Sequence, residues 1–581
     1  MNIIKEILFK KISAKGLAIF RIAYSINFLF EIIYIYKYRQ LYFDRIPYLD
    51  VHFPDNGLLL LFWMAVIICM GIGFSTRIMT IINYLFTIVF ISSMTDYEYH
   101  MVYTYTGVNF LLMFLPIYKS LSIDLLKKKI VYLNRNQIYN EEKVSKINYF
   151  APVLLGVGLV YFDSAFVYKI NSPLWLNGLG VWLPSSVPIS TITDNQWFLN
   201  QEFLVKLLSY ITMVFEFMFI FLFWNKKFRI ILFVIGVGLH IGILVEFPIP
   251  YFALGYLSIY LLMIPVSIWD KIKKRIQSKK ASLKLYYNST NLDCNKVVLL
   301  IKCLDVFGKI DSIEKKEISE KENINEYVFD KNLAGLSFDG TPYVEMALFK
   351  KICKILPLFY YSSKILFLGK VFTEKKRDQS QSLNLIENTN QAYFFPSVFK
   401  TDNFLLFFLC IAMLLQFQIN YNFFGYNSTT KYLVNNFAKR YYGITNHDVF
   451  LDDHFKGFEN MYTLKYKGEL LPFLDEKGMC DAYISGSTYA YWMFRVNKPY
   501  VKENAYSLRK GFIEYSSFWA HRNNIDLSDY QEFEIVKKRL KISFEWEEDL
   551  LQKNIDQPWE RVGVLIWNNK STQFLWDSTN K

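Results

Sequence analysis

The sequence predicts an α-helical polytopic membrane protein of about eight or nine transmembrane helices. It adds a small α/β domain on the cytoplasmic side and a C-terminal α+β domain on the extracytoplasmic side. Three observations predict this. Of the 581 residues, 53% are hydrophobic and only 20% charged, and the mean hydropathy is +0.16; soluble domains sit nearer a quarter charged. The apolar residues gather into runs long enough, or nearly so, to span a bilayer. The net charge of +13 lies among those runs, because Tyr421–Lys581 carries 21 Lys+Arg against 21 Asp+Glu. Basic loops between apolar runs mark cytoplasmic faces, so the excess charge is not the basic face of a nucleic-acid binder. Six Cys in 581 residues are too few for a disulfide scaffold.

The apolar runs fall at 15–37, 57–75, 78–94, 147–168, 203–224, 228–247, 250–268 and 403–420. A shorter run at 106–118 must also cross if the charges are to alternate correctly. Lys5, Lys10, Lys11 and Lys15 place the start in the cytoplasm. Alternation then puts Arg77, the 119–146 loop, Lys226/Lys227/Arg229 and the cluster Lys271–Lys280 on that same side, so every basic cluster agrees. The loops 38–56, 95–105 and 169–202 become extracytoplasmic. No small-residue cleavage site follows a short apolar core at the start, so the first run reads as a retained helix. The whole of 1–268 is one transmembrane domain.

Residues 282–370 have another character. Leu283–Tyr287 reads as a strand, Cys294–Val306 has helical apolar spacing, Glu326–Phe329 reads as a second strand, and a helix follows at about 343–355. A polar linker, 371–402, leads to the last span at 403–420. The C-terminal part, 421–581, has globular composition with strand-like stretches at Met461–Leu471 and Arg561–Trp567, and lies outside. The location implied is the inner (cytoplasmic) membrane, with the N-terminus and 269–402 cytoplasmic and 421–581 extracytoplasmic.

Chemistry is sought among ionisable residues in or beside the spans, where burying a charge is costly. Lys169 ends the fifth span. In an apolar pocket desolvation disfavours its ammonium form, so the amine can serve as a base; a lysine reaching back to the interface is the alternative. His100, before the 106–118 run, could stabilise an anion or shuttle a proton, or simply pack at the interface. Glu216 and His240 lie inside spans and could bind a ligand or pair with each other. Trp175 follows the lysine in an aromatic-rich stretch that suits a flat ring. Cys294 is the lone thiol after the first soluble strand; a dithiol centre needs C-x-x-C, and Asn291 occupies the first position. His447, Asp448, Asp452, Asp453 and His454 form a patch that could bind a cation or face solvent. No metal-ligand spacing or Gly-rich phosphate loop occurs, and no metal is predicted.

Several segments resemble the HTTM family, the membrane domain shared with vitamin K-dependent γ-glutamyl carboxylase. The likeness covers roughly 10–268 and rests on Gly16-Leu-Ala-Ile-Phe20-Arg21-Ile, on Tyr99-His100 followed by Phe114-Leu-Pro116 and Leu121-Ser-Ile-Asp124, on Tyr161-Phe162…Lys169…Trp175…Gly178, and on Gly236-Val-Gly-Leu-His240. The resemblance implies that Lys169 deprotonates a reduced, vitamin K-type quinone, with O2 and CO2 as co-substrates. It implies that His100 assists the anionic step and that His240, Glu216 and Trp175 line the pocket. Tyr168 stands where the family has a second basic residue beside the lysine. Residues 282–370 resemble the DCC family of thiol-disulfide oxidoreductase-like proteins, through Tyr287-Asn-Ser-Thr-Asn291-Leu-Asp-Cys294, Phe338-Asp339-Gly340 and Leu356-Pro357; this implies a thioredoxin-like fold that has lost its first Cys. Gly443-Ile-Thr-Asn-His-Asp-Val-Phe450 and Gln557-Pro-Trp559 resemble the C-terminal region of bacterial HTTM–DCC proteins.

The expected function is therefore a membrane enzyme that uses a lysine base on a reduced quinone or similar lipid-phase substrate to modify an exported peptide or protein, acting as a carboxylase-like lyase or an oxidoreductase. Two other readings stand beside it. One is a non-catalytic membrane scaffold that assists export or immunity of a partner; the other is a monothiol redox protein working through Cys294. The bilayer is the expected environment, no nucleic acid is expected, and the sequence does not fix an oligomeric state.

Overall fold

A computed structural model describes residues 9–44, 55–135, 137–139, 142–278, 280–317, 331–365, 372, 386–387, 401–422, 425 and 427–577, and it is mostly helical. Four helices are long and apolar enough to cross a membrane: α1 (Lys15–Lys37), the helix Ala151–Asn171, and two more at Glu202–Leu222 and Lys226–Glu246. A bent pair, Pro250–Met263 with Val266–Ile276, makes five if it counts as one span. The expectation of eight or nine spans is thus met only in part among the described residues. Segments 57–75 and 78–94 form α2 (Gly57–Ile72) and α3 (Thr76–Phe86), the latter continuing as a π-helix through Ile91. The 106–118 run is displaced: its helix, α4, covers His100–Leu112, and the chain leaves helical geometry before Pro116. At about 1.5 Å per residue, these helices are shorter than a hydrocarbon core of about 30 Å.

The remaining long elements are α5 (Ile123–Leu133), α6 (Ala151–Phe162), α7 (Glu202–Leu222), α8 (Lys226–Glu246), α9 (Pro250–Tyr260) and α10 (Val266–Ile276). A conserved geometry need not be invoked for the first turn of the bundle, because one buried side chain organises it. Arg21 on α1 is 0% exposed. Its guanidinium donates to the carbonyls of Gly71 at 3.2 Å, Ile117 at 2.5 Å and Leu121 at 2.5 Å, and so satisfies chain ends that a bilayer would leave unpaired. Asp124 completes the corner by accepting from Ser75 N–H at 2.8 Å and Thr76 N–H at 2.7 Å at the start of α3. Replacing Arg21 with Leu is expected to destabilise the protein by about 3 kcal/mol or more, since each orphaned buried carbonyl carries its own desolvation cost. Thermal unfolding in nanodiscs checks this, and an unchanged midpoint would contradict it.

Residues 283–365 fold on their own core. Strands β1 (Leu283–Tyr287), β2 (Ile310–Glu314), β3 (Leu333–Ser337) and β4 (Pro342–Val344) form a sheet of order β2-β1-β3-β4, with β1 and β2 parallel and the other pairs antiparallel. Helix α11 (Leu292–Leu304) connects β1 to β2, the crossover that a parallel pair needs. Helices α12 (Glu345–Ile355) and α13 (Pro357–Ile365) follow. Leu126 of α5 packs against this core, so the domain sits at the bundle's basic end. The strand expected at Glu326–Phe329 lies outside the described residues, as does nearly all of the linker 371–402.

After α14 (Thr401–Tyr421) and α15 (Ser428–Tyr442), the C-terminal domain forms a five-stranded antiparallel sheet. Its order is β6-β5-β7-β8-β9, with β5 Asn460–Tyr466, β6 Glu469–Leu470, β7 Gln531–Arg539, β8 Trp559–Asn568 and β9 Ser571–Trp576. The domain does not hang from a tether. Phe28 and Tyr38 of α1 and the neighbouring turn share one continuous core with Trp492 and Phe518. Tyr38 O–H donates to Ala482 O at 3.0 Å, Tyr34 and Thr488 hydroxyls lie 2.7 Å apart, and Lys439 pairs with Glu98 at 2.8 Å. Gly443 ends α15 at φ 67°. A Cβ there would overlap the Tyr103 carbonyl on α4, so only glycine allows both the left-handed cap and the close approach.

Candidate functional site

The site grows from an irregular end of α6. Past Phe162 the helix widens to a π-helix over Asp163–Tyr168 and then tightens to a 3-10 turn, Lys169–Asn171. Pro173 then opens a separate short helix, Pro173–Leu176, from its first position. Such π segments change which face each side chain takes and recur at functional sites. Here the result is that Asp163 and Lys169 both point inward, 1% and 4% exposed.

Lys169 is not alone in an apolar pocket. Its Nζ donates to both Glu216 oxygens at 2.7 Å and sits 4.1 Å above the Trp175 ring centre. Glu216 reaches it because α7 buries one stripe, Val205, Ser209, Thr212, Phe215, Glu216 and Phe219, at the helical spacing of three and four. The lysine expected in a purely apolar pocket thus meets a buried carboxylate. His240 does not pair with Glu216 either. It lies on the buried stripe Leu232, Gly236, His240 of α8, its Nδ1 is 2.9 Å from Gly236 O, and its ring stacks on Tyr256 with centres 4.8 Å apart.

Lys169, Trp175, Glu216, His240 and His100 line one cavity of about 1000 Å3. One wall is apolar, from α7 and α8, where Gly238 and Gly242 face open space. The other wall is the segment 443–455 of the C-terminal domain. This segment is no solvated loop. Asp452 bonds the Ser172 hydroxyl and accepts from Leu174 N–H at 3.0 Å, and Trp175 Nε1–H donates to Phe450 O at 2.9 Å. It thus latches the turn that carries Lys169. His447, 2% exposed, is held by Asp163, whose Oδ2 is 2.9 Å from the His447 backbone N and 3.2 Å from its Nδ1. Asn420 of α14 bonds the other Asp163 oxygen. His454 Nδ1 accepts from Leu451 N–H at 3.0 Å; burial lowers its pKa, against the pull of Asp448 and Asp453.

The acidic and histidine-bearing patch is thereby divided between docking and lining duties, and among the described residues no group of three or more His, Cys, Asp or Glu could hold a metal ion. Cys294 lies apart, in the small domain's own core and 0% exposed. Burial pushes its thiol up to about 12, which opposes thiolate chemistry. Asn291, three residues before Cys294, caps α11 by accepting from Asp293 N–H at 3.0 Å and Cys294 N–H at 3.1 Å.

Sequence reasoning passed over Asp163 and Glu31, although both sit inside apolar runs. The rule that selected Lys169 and Glu216, that a charge in a span needs a reason, would have found them. Glu31 is 1% exposed and accepts from the Tyr99 hydroxyl at 2.6 Å and the Tyr105 hydroxyl at 3.2 Å, and so fixes Tyr99, which lines the cavity. Comparison with known proteins adds nothing to this geometry: no protein family, curated protein or solved structure matches the chain.

Proposed function

We propose that the chain is an integral inner-membrane enzyme of HTTM type, with eight or nine helical segments embedded, the basic end in the cytoplasm and 421–581 outside. Its cavity takes a reduced quinone or a similar ring-bearing amphiphile from the lipid phase and modifies an exported peptide or protein. The observation that carries the reading is convergence. Lys169, Trp175, Glu216, His240 and His100, from separate stretches of chain, meet on one cavity walled by the apolar helices α7 and α8 and by the polar segment 443–455. Concave, largely apolar sites with a few convergent polar groups are where such ligands bind.

The residues fit an acidic ring. Its flat face has Trp175 and the His240/Tyr256 stack to lie against, and its hydroxyl has the Lys169–Glu216 pair. That pair accepts one proton as a unit. Either Glu216 takes it while the Lys169 ammonium faces the new anion, or Lys169 first passes its own proton to Glu216 and then receives the substrate's. In both cases the site gains one positive charge where the substrate loses a proton, which is what stabilises the anion. A bound reduced quinone, with O2, would supply the oxidative and strongly basic chemistry that no side chain here possesses, and CO2 would be the carboxylating co-substrate. The α/β domain reads as a degenerate DCC module. Its strand order suits a thioredoxin-like core, and its Asn291 has become a helix cap.

The test is purified protein in nanodiscs, wild type beside Lys169→Ala, given reduced menaquinone under air, with quinone epoxide followed by mass spectrometry. Epoxide from the wild type alone is expected. None from either folded protein would overturn the reading in favour of a membrane scaffold.

A further inference from the structure

Two imidazoles on the cavity wall are left incomplete in a way that pairs them. His100 Nδ1 and His447 Nε2 are both buried without a hydrogen-bond partner; their ring centres are 5.7 Å apart, and the one N–H···N hydrogen bond that could join them is not made in this structure. Unmade hydrogen bonds at buried polar atoms cost about 1–3 kcal/mol each, and that single bond would satisfy both. The far side of His447 is already committed, since its Nδ1 faces Asp163 Oδ2 at 3.2 Å.

We propose that His100, His447 and Asp163 form a proton relay, in which His100 exchanges a proton with the substrate in the cavity while His447 and Asp163, acting through it, fix its tautomer and stabilise its charge. The inference rests on reading the cavity as a proton-transfer site, and it adds two positioning residues, one of them supplied by the C-terminal domain. Hydrogen bonding fixes the order of protons. Asp163, which also accepts from the His447 backbone N–H and bonds the Asn420 amide, accepts the His447 Nδ1–H. His447 Nε2 is then a lone-pair acceptor and takes the His100 Nδ1–H. This leaves the His100 Nε2 lone pair as the free base toward the cavity that His100 lines. When His100 takes a proton from a substrate O–H, N–H or acidified C–H, the electron pair stays on the substrate atom, and the added positive charge is spread toward the Asp163 carboxylate. The proton returns by the same nitrogen. The other charged groups near the two rings are Lys439, paired with Glu98, and Asp448 and Asp453 beside His454. All of them line the cavity, and none bonds either imidazole.

Asp163→Asn is a conservative probe. The Asn carbonyl can occupy the Oδ2 position and still accept from the His447 backbone and Nδ1, and Asn420 can turn its amide to meet the new NH2. Geometry is kept and only charge is lost. His447→Phe keeps a ring and removes the acceptor. The readout is carbethoxylation by diethyl pyrocarbonate, which attacks an unprotonated imidazole nitrogen. Each histidine is followed by peptide mass spectrometry, with exposed His521 as the internal reference. His100 is expected to react in the wild type, and its rate relative to His521 should fall about tenfold in His447→Phe and about threefold in Asp163→Asn. Equal ratios in all three proteins overturn the relay. In the menaquinone assay, Asp163→Asn should lower kcat with KM unchanged. A wild type that makes no epoxide but shows the labelling pattern removes the quinone reading and leaves the relay standing, so the two failures separate.

Discussion

Glu216→Gln is expected to cost the protein both its turnover and much of its stability, and the two losses can be pulled apart. Lys169 and Glu216 have side chains only 6% and 9% exposed, with Nζ 2.7 Å from the carboxylate. Removing one partner leaves the other charge buried and uncompensated, which costs about 3–5 kcal/mol. The same holds for Lys169→Met. Removing both charges together, in Lys169→Met/Glu216→Leu, should return the unfolding midpoint to near the wild-type value, because a well-packed apolar pair is often as stable as a buried ion pair. Turnover in the double variant should nevertheless stay at least about a hundredfold down, the lower end of what a general acid–base group contributes. Thermal unfolding and epoxide formation on the wild type, Lys169→Met, Glu216→Leu and the double variant complete the cycle, with Glu216→Gln measured beside them. If the double variant regained activity along with stability, the pair would be a structural strut and the cavity's chemistry would have to lie elsewhere.

The sequence carried the bundle better than the site. Long apolar runs specify helices because a bilayer tolerates little else, and each expected run contains helix, although the 106–118 run leaves it after Leu112. Some of the basic segments that ordered the loops do meet, as Lys15 and Asp270 do in an ion pair. Lys169, Glu216, His100 and His240 were visible one by one, as expensive charges in greasy surroundings. Their partners were not. Which carboxylate meets Lys169 depends on the phase of α7 against a π-widened turn, and hydrophobicity alone does not report that phase. The Asp163–His447 contact joins residues 284 positions apart, across two domains that the composition shift presents as separate. Sequence periodicity describes one element at a time, so a wall contributed by a distant domain reads only as a polar loop. Arg21 is a further charge inside an apolar run, and its hold on the carbonyls of Gly71, Ile117, Ser120 and Leu121 is the physical reason it is buried there.

Trp175→Ala is expected to produce the second large loss, and Gly180→Ala should reproduce part of it without touching the tryptophan. The indole is 4% exposed, carries the Lys169 ammonium 4.1 Å above its ring centre, and is pinned by its Nε1–H to Phe450 O. Truncation to Ala opens a cavity worth about 3–5 kcal/mol. It also removes a desolvated cation–π contact of about 2 kcal/mol, along with the surface against which the proposed ring would lie. Gly180 returns the chain beneath that indole, and a Cβ at 180 would fall within the ring system itself. A fused ring held at its far edge cannot rotate away cheaply, so Gly180→Ala should cost about 1–3 kcal/mol as overpacking. It should push the indole toward Lys169 and lower turnover more than stability. Tryptophan emission and epoxide formation on the two variants test the argument together. A Gly180→Ala protein with wild-type midpoint and turnover would mean that the indole is free to move, and that the Lys169–Glu216 pair is positioned by α7 alone.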